Sequence, residues 1–321
     1  MSGGVRSAPK TARMALCLLV SAVFLLLVFR RVDWPLLGRQ LTHLRPGWWL
    51  AGLLFFGVAY LLGACRWHLM LLLKGLAISR TVTFRSTLIG HFFNTLLLGP
   101  AAGDVAKSAF YGRWHRQPVP EILAASWMDR LAAAGGSVVV ALLLLGVLAV
   151  EEIEKLRGKI HFSYPAAGLL LAGLAGISAA AWLLLRFRRA GFLARTVDAL
   201  VAGVARLAQN PRVALRSVAL GALVQLLFSS VLALSLQAVA HEPVPWLRLF
   251  WIFPLISAIT ALPVSMAGLG VREGSALVML GWFGIPAAQA VAAALLTLVI
   301  NLLWAATGGL LFWWEERRLT V

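Results

Sequence analysis

Apolar runs long enough to cross a bilayer recur along this chain, and basic residues gather where they stop. A spanning helix needs about 20 predominantly apolar residues, and backbone polar groups inside lipid must be satisfied within a helix or a closed barrel. Five runs approach or exceed that length: Trp48 to Cys65, Ile122 to Val150, Pro165 to Leu185, Val213 to Ala240 and Ala287 to Trp313. A sixth, Met14 to Phe29, follows Arg6, Lys10 and Arg13 as a signal peptide would. No small-x-small cleavage site follows it, whereas Arg30, Arg31, Asp33 and Trp34 do, so it reads as a retained first span.

Composition excludes the main soluble alternatives. Of 321 residues, 61% are hydrophobic and 13% charged, against about 25% charged in a soluble domain, and mean hydropathy is +0.87. A formal charge of +17 could suit a nucleic-acid partner. Here the cations lie at the ends of apolar runs, where cytoplasmic loops and anionic headgroups favour them, so no nucleic acid is expected. Cys17 and Cys65 fall in apolar segments without the Cys/His company that metal ligation needs. No disulfide framework, metal or cofactor is expected.

Two apolar stretches depart from the spanning pattern. Phe84 to Leu98 is short and runs into GPAAGDVAKSAFYGRWHR, Gly99 to Arg116, while Trp246 to Leu280 is interrupted by LPVSMAGLGVREG, Leu262 to Gly274. Each reads as helix, Gly/Pro break, helix. Basic clusters set the orientation: Arg66, Lys74, Arg80 and Arg85; Lys107, Arg113 and Arg116; Arg186 to Arg212; and Arg317 with Arg318. All can be cytoplasmic together only if each broken segment returns to the side it left. Arg30, Arg31, Arg39 and Arg45 then lie outside, against the rule, but the cytoplasmic total is larger.

The expected architecture is a single all-α, polytopic transmembrane domain over 1–321. It has about six spanning helices and two re-entrant hairpins, 84–116 and 246–282, with both termini cytoplasmic. Span, span, hairpin, span occurs twice, so 14–150 and 164–313 form inverted halves. The breaks echo one another: Ala102-Gly103-Asp104-Val105-Ala106-Lys107 against Gly268-Leu269-Gly270-Val271-Arg272-Glu273.

Non-helical backbone and ionisable groups at membrane depth belong where protein buries them or water reaches them, so the breaks are expected to line a cavity. Gly103, Gly268 and Gly270 allow close approach there, and a half-helix starting at each break directs free N–H groups inward. Lys107 and Arg272 add full charges, which suits an anion. Asp104 and Glu273 would orient those cations or exchange protons with them. The plainer alternative makes Asp104 with Lys107, at i, i+3, and Arg272 with Glu273 structural ion pairs that close each loop.

Further polar residues lie within the runs. Asp129 and Arg130 interrupt an apolar helix, with structural pairing and function equally open. His91 and Asn94 share a helix face beside the first break, His91 reading as a satisfied packing residue. Gln225 and Asn301 suit interhelical hydrogen bonds. Arg66-Trp67 reads as an interfacial anchor, and Trp48, Trp49, Trp313 and Trp314 as an aromatic belt. Phe187 to Arg212 alternates apolar and basic residues at helical spacing, a connector along the cytoplasmic leaflet.

Arg66-Trp67, Asn94 with the Gly99 to Lys107 break, Asp129-Arg130, and Pro263 with Gly268-Leu269-Gly270-Val271-Arg272-Glu273 resemble the lysylphosphatidylglycerol synthase transmembrane-region family of flippase-like membrane proteins. The resemblance implies a bacterial or archaeal polytopic protein similar to the flippase portion of the multiple peptide resistance factor, which moves aminoacylated phospholipid between leaflets. Where that family often has Pro-Gly-x-x-Gly-Gly-Asp and then arginine, this chain has Gly99-Pro100-Ala101-Ala102-Gly103-Asp104 and Lys107, so planar guanidinium contacts do not carry over. The chain stops at Val321 without a soluble synthase domain, so it is not expected to be an aminoacyl transferase by itself.

Three functions follow. The leading one is a cell-membrane translocator of an anionic phospholipid, modified phospholipid or lipid-linked phosphate such as polyprenyl phosphate, with substrate at Lys107, Arg272, Asp104, Glu273, Asn94 and the glycines. Arg66, His91, Asp129, Arg130, Gln225 and Asn301 would support it. The second is a non-catalytic partner of a lipid- or glycan-modifying enzyme. The third, an embedded transferase or hydrolase using Asp104, Glu273 or His91, has no nucleophile-base spacing behind it.

Overall fold

Long apolar stretches bounded by proline, glycine and basic residues become helices in the computed structural model, which describes residues 42–76, 78–96, 100–147, 191–240, 242, 244, 246–260 and 271–320, with 35 and 38. Among the described residues the regular structure is helical throughout: α1 (Pro46–Leu73), α2 (Arg80–Leu96), α3 (Pro100–His115), α4 (Val119–Val147), α5 (Phe192–Gln209), α6 (Pro211–Val239), α7 (Trp246–Thr260), α8 (Val271–Gly281) and α9 (Ala287–Thr320). Local chemistry sets the boundaries. Proline opens α1 and α6, where its fixed φ suits a first helical residue and its missing N–H costs nothing. Gly75, at φ +79, ends α1. Leu76 N–H donates to the Leu71 carbonyl and Gly75 N–H to that of Leu72, both at 2.9 Å, the paired bonds of a glycine C-terminal cap.

The protein is an all-α polytopic membrane protein. Among the described residues four helices are long and apolar enough to cross a membrane: Pro46–Leu73, Val119–Leu144, Pro211–Val239 and Ala287–Arg318. They correspond to four of the runs read from sequence. The runs Met14 to Phe29 and Pro165 to Leu185 lie outside the described residues. Apolar side chains cover the outer surface, with Leu54, Leu142, Leu143 and Leu310 all more than 60% exposed, as lipid rather than water would select.

Pairwise contacts fix the directions. Arg45 N–H donates to the Ala238 carbonyl and Phe56 packs on Phe228, so α1 and α6 are antiparallel. Trp49 Nε1 donates to Leu296 and Trp304 Nε1 to Leu53, so α9 runs parallel to α1. At one end of the bundle α1 finishes and α4 begins, joined by Lys74 to Glu121 at 2.6 Å. At the other end α6 finishes and α9 begins, around a core of Leu236, Leu249, Ile252, Leu280 and Val291.

The broken stretches become antiparallel helix pairs at opposite ends of this bundle. In the first, α2 and α3 lie side by side, Phe93 stacking on Phe110. Their open ends sit at the α1-terminal end, where Arg85 pairs with Glu315 at 3.0 Å and Tyr111 meets Trp67 edge-on. In the second, α7 and α8 pack on each other and on α6 and α9; their intervening break, 261–270, is outside the described residues. α5 docks on α4 through buried Thr196, Val197 and Ala199, and the Ala199 carbonyl accepts from Lys74 Nζ.

One boundary departs from expectation. α1 continues eight residues past Cys65, through Arg66-Trp67-His68, to Leu73. Hydropathy places a membrane edge wherever polarity rises, but these polar side chains are sheltered by protein.

Candidate functional site

Arg66 is where that difference matters. The expected snorkelling anchor is corrected: Arg66 is 7% exposed and Trp67 1% exposed. Arg66 reaches Asp129 on α4 with two bonds, Nε to Oδ1 at 2.6 Å and Nη2 to Oδ2 at 3.1 Å, the planar match of guanidinium to carboxylate. Its remaining nitrogen, Nη1, is buried without a hydrogen-bond partner among the described residues. At 1.5 Å per residue, Arg66 lies about 10 Å inside the end of α1.

The first helix pair brings the other charges. Asp104 Oδ2 accepts from Arg130 Nε, and its Oδ1 stands 3.5 Å from Lys107 Nζ, at the limit of a hydrogen bond. The Lys107 ammonium sits 3.8 Å from the centre of the Trp67 ring, a cation-π contact strengthened by burial. The local Asp104-Lys107 pair therefore exists, but the closer contact of Asp104 is with Arg130.

Asn94 and Gly103 hold the pair in register. Asn94 Oδ1 accepts from Gly103 N–H at 2.9 Å, satisfying an amide that the first turn of a helix leaves unpaired. A side chain at Gly103 would overlap the Gly90 carbonyl oxygen and the Asn94 amide, so glycine here serves close approach between α2 and α3. The expectation that this turn offers its N–H groups to an anion needs correction at two positions: Pro100 has none, and that of Gly103 is taken.

His91 is held on both ring nitrogens. Nε2 lies 3.2 Å from the Asn301 backbone carbonyl, which can only accept, and Nδ1 lies 2.6 Å from the Tyr60 hydroxyl. This agrees with a satisfied packing histidine. Asn301 contributes its backbone here. Gln225 joins α6 to α4, its Oε1 accepting from Ser137 Oγ at 3.0 Å, as expected of an interhelical bond.

Arg66, Trp67, Asp104, Lys107, Asp129 and Arg130 line a cavity of ≈ 270 Å³, closed on other sides by Tyr60, His91, Asn94 and Phe228. Sequence reading named most of these separately. It missed Tyr60, for which an isolated aromatic in an apolar run gives no signal, and misplaced Arg66 and Trp67. Opposite charges at Arg66 and Asp129, both inside long apolar helices, were the available clue. Of the second break, Arg272 and Glu273 begin α8, but their side chains, with Gly268 and Gly270, lie outside the described residues. Among the described residues no cluster of His, Cys, Asp and Glu could hold a metal.

A family model described as the lysylphosphatidylglycerol synthase TM region matches residues 14–309. The chain belongs to that family. No curated protein matches it.

Proposed function

We propose that this member of the lysylphosphatidylglycerol synthase transmembrane-region family translocates a phospholipid or lipid-linked phosphate between leaflets. The observation that carries the reading is the charged cavity well inside the bundle, walled on one side by a helix pair that enters and leaves at the same end. Ionisable side chains are expensive at that depth and mark substrate pathways. Helix pairs that stop near mid-membrane are where transporters bind polar substrate.

In this reading α2–α3 and α7–α8 are re-entrant hairpins of two inverted halves, and substrate crosses between their tips. Lys107 supplies a counter-charge for the headgroup, Arg66 a directional N–H donor, and Asp104 and Asp129 keep the cations aimed while the cavity is empty. Acyl chains remain in lipid along the exposed leucines of the outer surface. Rocking of one half against the other would open the cavity to each leaflet in turn. The site-residue roles of Arg272, Glu273, Gly268 and Gly270 belong to this proposal.

The test is reconstitution of the full chain with fluorescent phospholipids and a membrane-impermeant quencher. Wild type should carry reporter from the protected to the quenched leaflet. Lys107→Ala, which leaves Asp104 on Arg130, should slow this by roughly ten- to a hundredfold, the worth of one charge-assisted contact. Inactivity of wild type toward phospholipids and polyprenyl phosphates alike would instead support a non-catalytic partner of a lipid-modifying enzyme.

A further inference from the structure

The charge count of the cavity says what kind of headgroup it takes, and this rests on the translocation reading above. Among the described residues three cations, Arg66, Lys107 and Arg130, face two carboxylates, Asp104 and Asp129. One positive charge is left over.

The excess also has a location. Asp129 is chelated by Arg66, and Asp104 is shared by Arg130 and Lys107, so both carboxylates in the cavity are already committed to cations. Donors are the reverse. Among the described residues Arg66 Nη1 is buried and unpartnered, and Lys107 Nζ has only the long contact to Asp104 besides the Trp67 face. Buried charge left uncompensated is unfavourable, so the cavity is complete when one singly charged acceptor bridges Arg66 and Lys107. Among the described residues an incoming ammonium finds no carboxylate without a cation, and it adds to the excess.

We infer that the cavity selects a singly anionic phosphodiester headgroup and discriminates against the same headgroup carrying an amino-acid ammonium. Size agrees: ≈ 270 Å³ is slightly below the roughly 300 Å³ at which pockets for whole small ligands begin, enough for a headgroup without its chains. Arg130 stands at the rim, its side chain 44% exposed. Leu131, which follows Arg130, and Val105, which follows Asp104, are apolar and exposed, so the rim opens toward lipid, from which the chains need not depart.

Native mass spectrometry of the full-length protein at neutral pH, titrated with short-chain phosphatidylglycerol, its lysyl ester, phosphatidic acid and phosphatidylcholine, tests this. Phosphatidylglycerol should bind at least about tenfold more tightly than its lysyl ester or phosphatidylcholine, one uncompensated interaction being worth that much. Arg66→Lys keeps the charge opposite Asp129 but removes the spare guanidinium donor, and should weaken phosphatidylglycerol binding by a similar factor. Ala133→Asp adds a carboxylate to the cavity wall and should bring the two esters to parity, which keeps the inference testable should Arg66→Lys fail to fold. Tighter binding of the lysyl ester, or of the more highly charged phosphatidic acid, by wild type overturns the inference. If wild type transports the lysyl ester preferentially, the charge assignment falls and translocation stands. If phosphatidylglycerol binds selectively but no lipid is moved, translocation falls and the charge assignment stands.

Discussion

Arg66 and Asp129 have exchanged water for each other, with side-chain exposures of 8% and 16%. Such a pair contributes little net stability against a well-packed apolar replacement, yet breaking it on one side strands a charge at a cost of about 3–5 kcal/mol. Asp129→Asn should therefore lower the unfolding midpoint in detergent by the equivalent of several kcal/mol, about 3 at least. The double change Arg66→Met with Asp129→Leu should recover most of that loss, because neither partner is left alone. Its lipid binding then separates structure from function. A rescued fold that binds headgroup as wild type does would make the pair purely structural, whereas a rescued fold without binding assigns Arg66 to the substrate. A gentler change tests the hairpin register. Asn94→Ala removes the acceptor for Gly103 N–H and should cost about 1–2 kcal/mol, read from the same midpoint.

At the scale of helices, the crossing of α4 and α6 is set by two glycines. A side chain at Gly136 would overlap the backbone of Gly221 and Ala222, whereas one at the neighbouring Gly135 would meet only Val218, at 3.5 Å. Membrane helices gain their attraction from such backbone approach. Gly136→Ala should accordingly destabilise the protein by more than about 2 kcal/mol, as a core overpacking does, while Gly135→Ala should be neutral or stabilising by up to about 1 kcal/mol through helix propensity. Equal midpoints for the two variants would refute this crossing. Nothing in the dipeptide distinguishes its two glycines, because which one faces a neighbour depends on helix rotation, not composition. The same limit explains Arg66 and Trp67. Hydropathy registers a rise in polarity but not whether lipid or protein surrounds it, so α1 was read eight residues short. What periodicity and punctuation could supply, they did: helix, Gly/Pro break, helix around Leu96 and Pro100 is in the residues themselves, as are the apolar lengths of α4, α6 and α9. The site was legible as a set of ionisable residues out of place in apolar surroundings. Their pairing across α1, α3 and α4 was not, since Arg66 and Asp129 are far apart in sequence and only the packing of α1 against α4 joins them.

Over the whole molecule, the helix pairs open at opposite ends of the bundle, and that arrangement ties orientation to mechanism. The end bearing Lys74, Arg85, Arg113 and Arg116 carries most of the described basic residues, and a bilayer with anionic lipid on its cytoplasmic face favours that end inside. Glu242 lies exposed at the other end, between α6 and α7. Single cysteines at Ser79, Asn210 and Glu242, all exposed, can be placed in a background with Cys17 and Cys65 replaced. In intact cells a membrane-impermeant thiol reagent should label the cysteine at Glu242, and label those at Ser79 and Asn210 only after the membrane is opened. Labelling of all three in intact cells would break the proposed topology. Labelling of Ser79 and Asn210 alone would invert the orientation while leaving the opposed hairpins in place. Ser108 makes the companion measurement on the hairpin itself. It is fully buried on α3 beside Lys107, so a cysteine there should resist the reagent from either side in a static protein. If the halves alternate, a slow reaction of that cysteine should appear, and saturating phosphatidylglycerol should suppress it by filling the cavity next to it. Reaction at a rate indifferent to lipid would mean that the cavity opens without substrate control, which removes the coupling that translocation through this site requires.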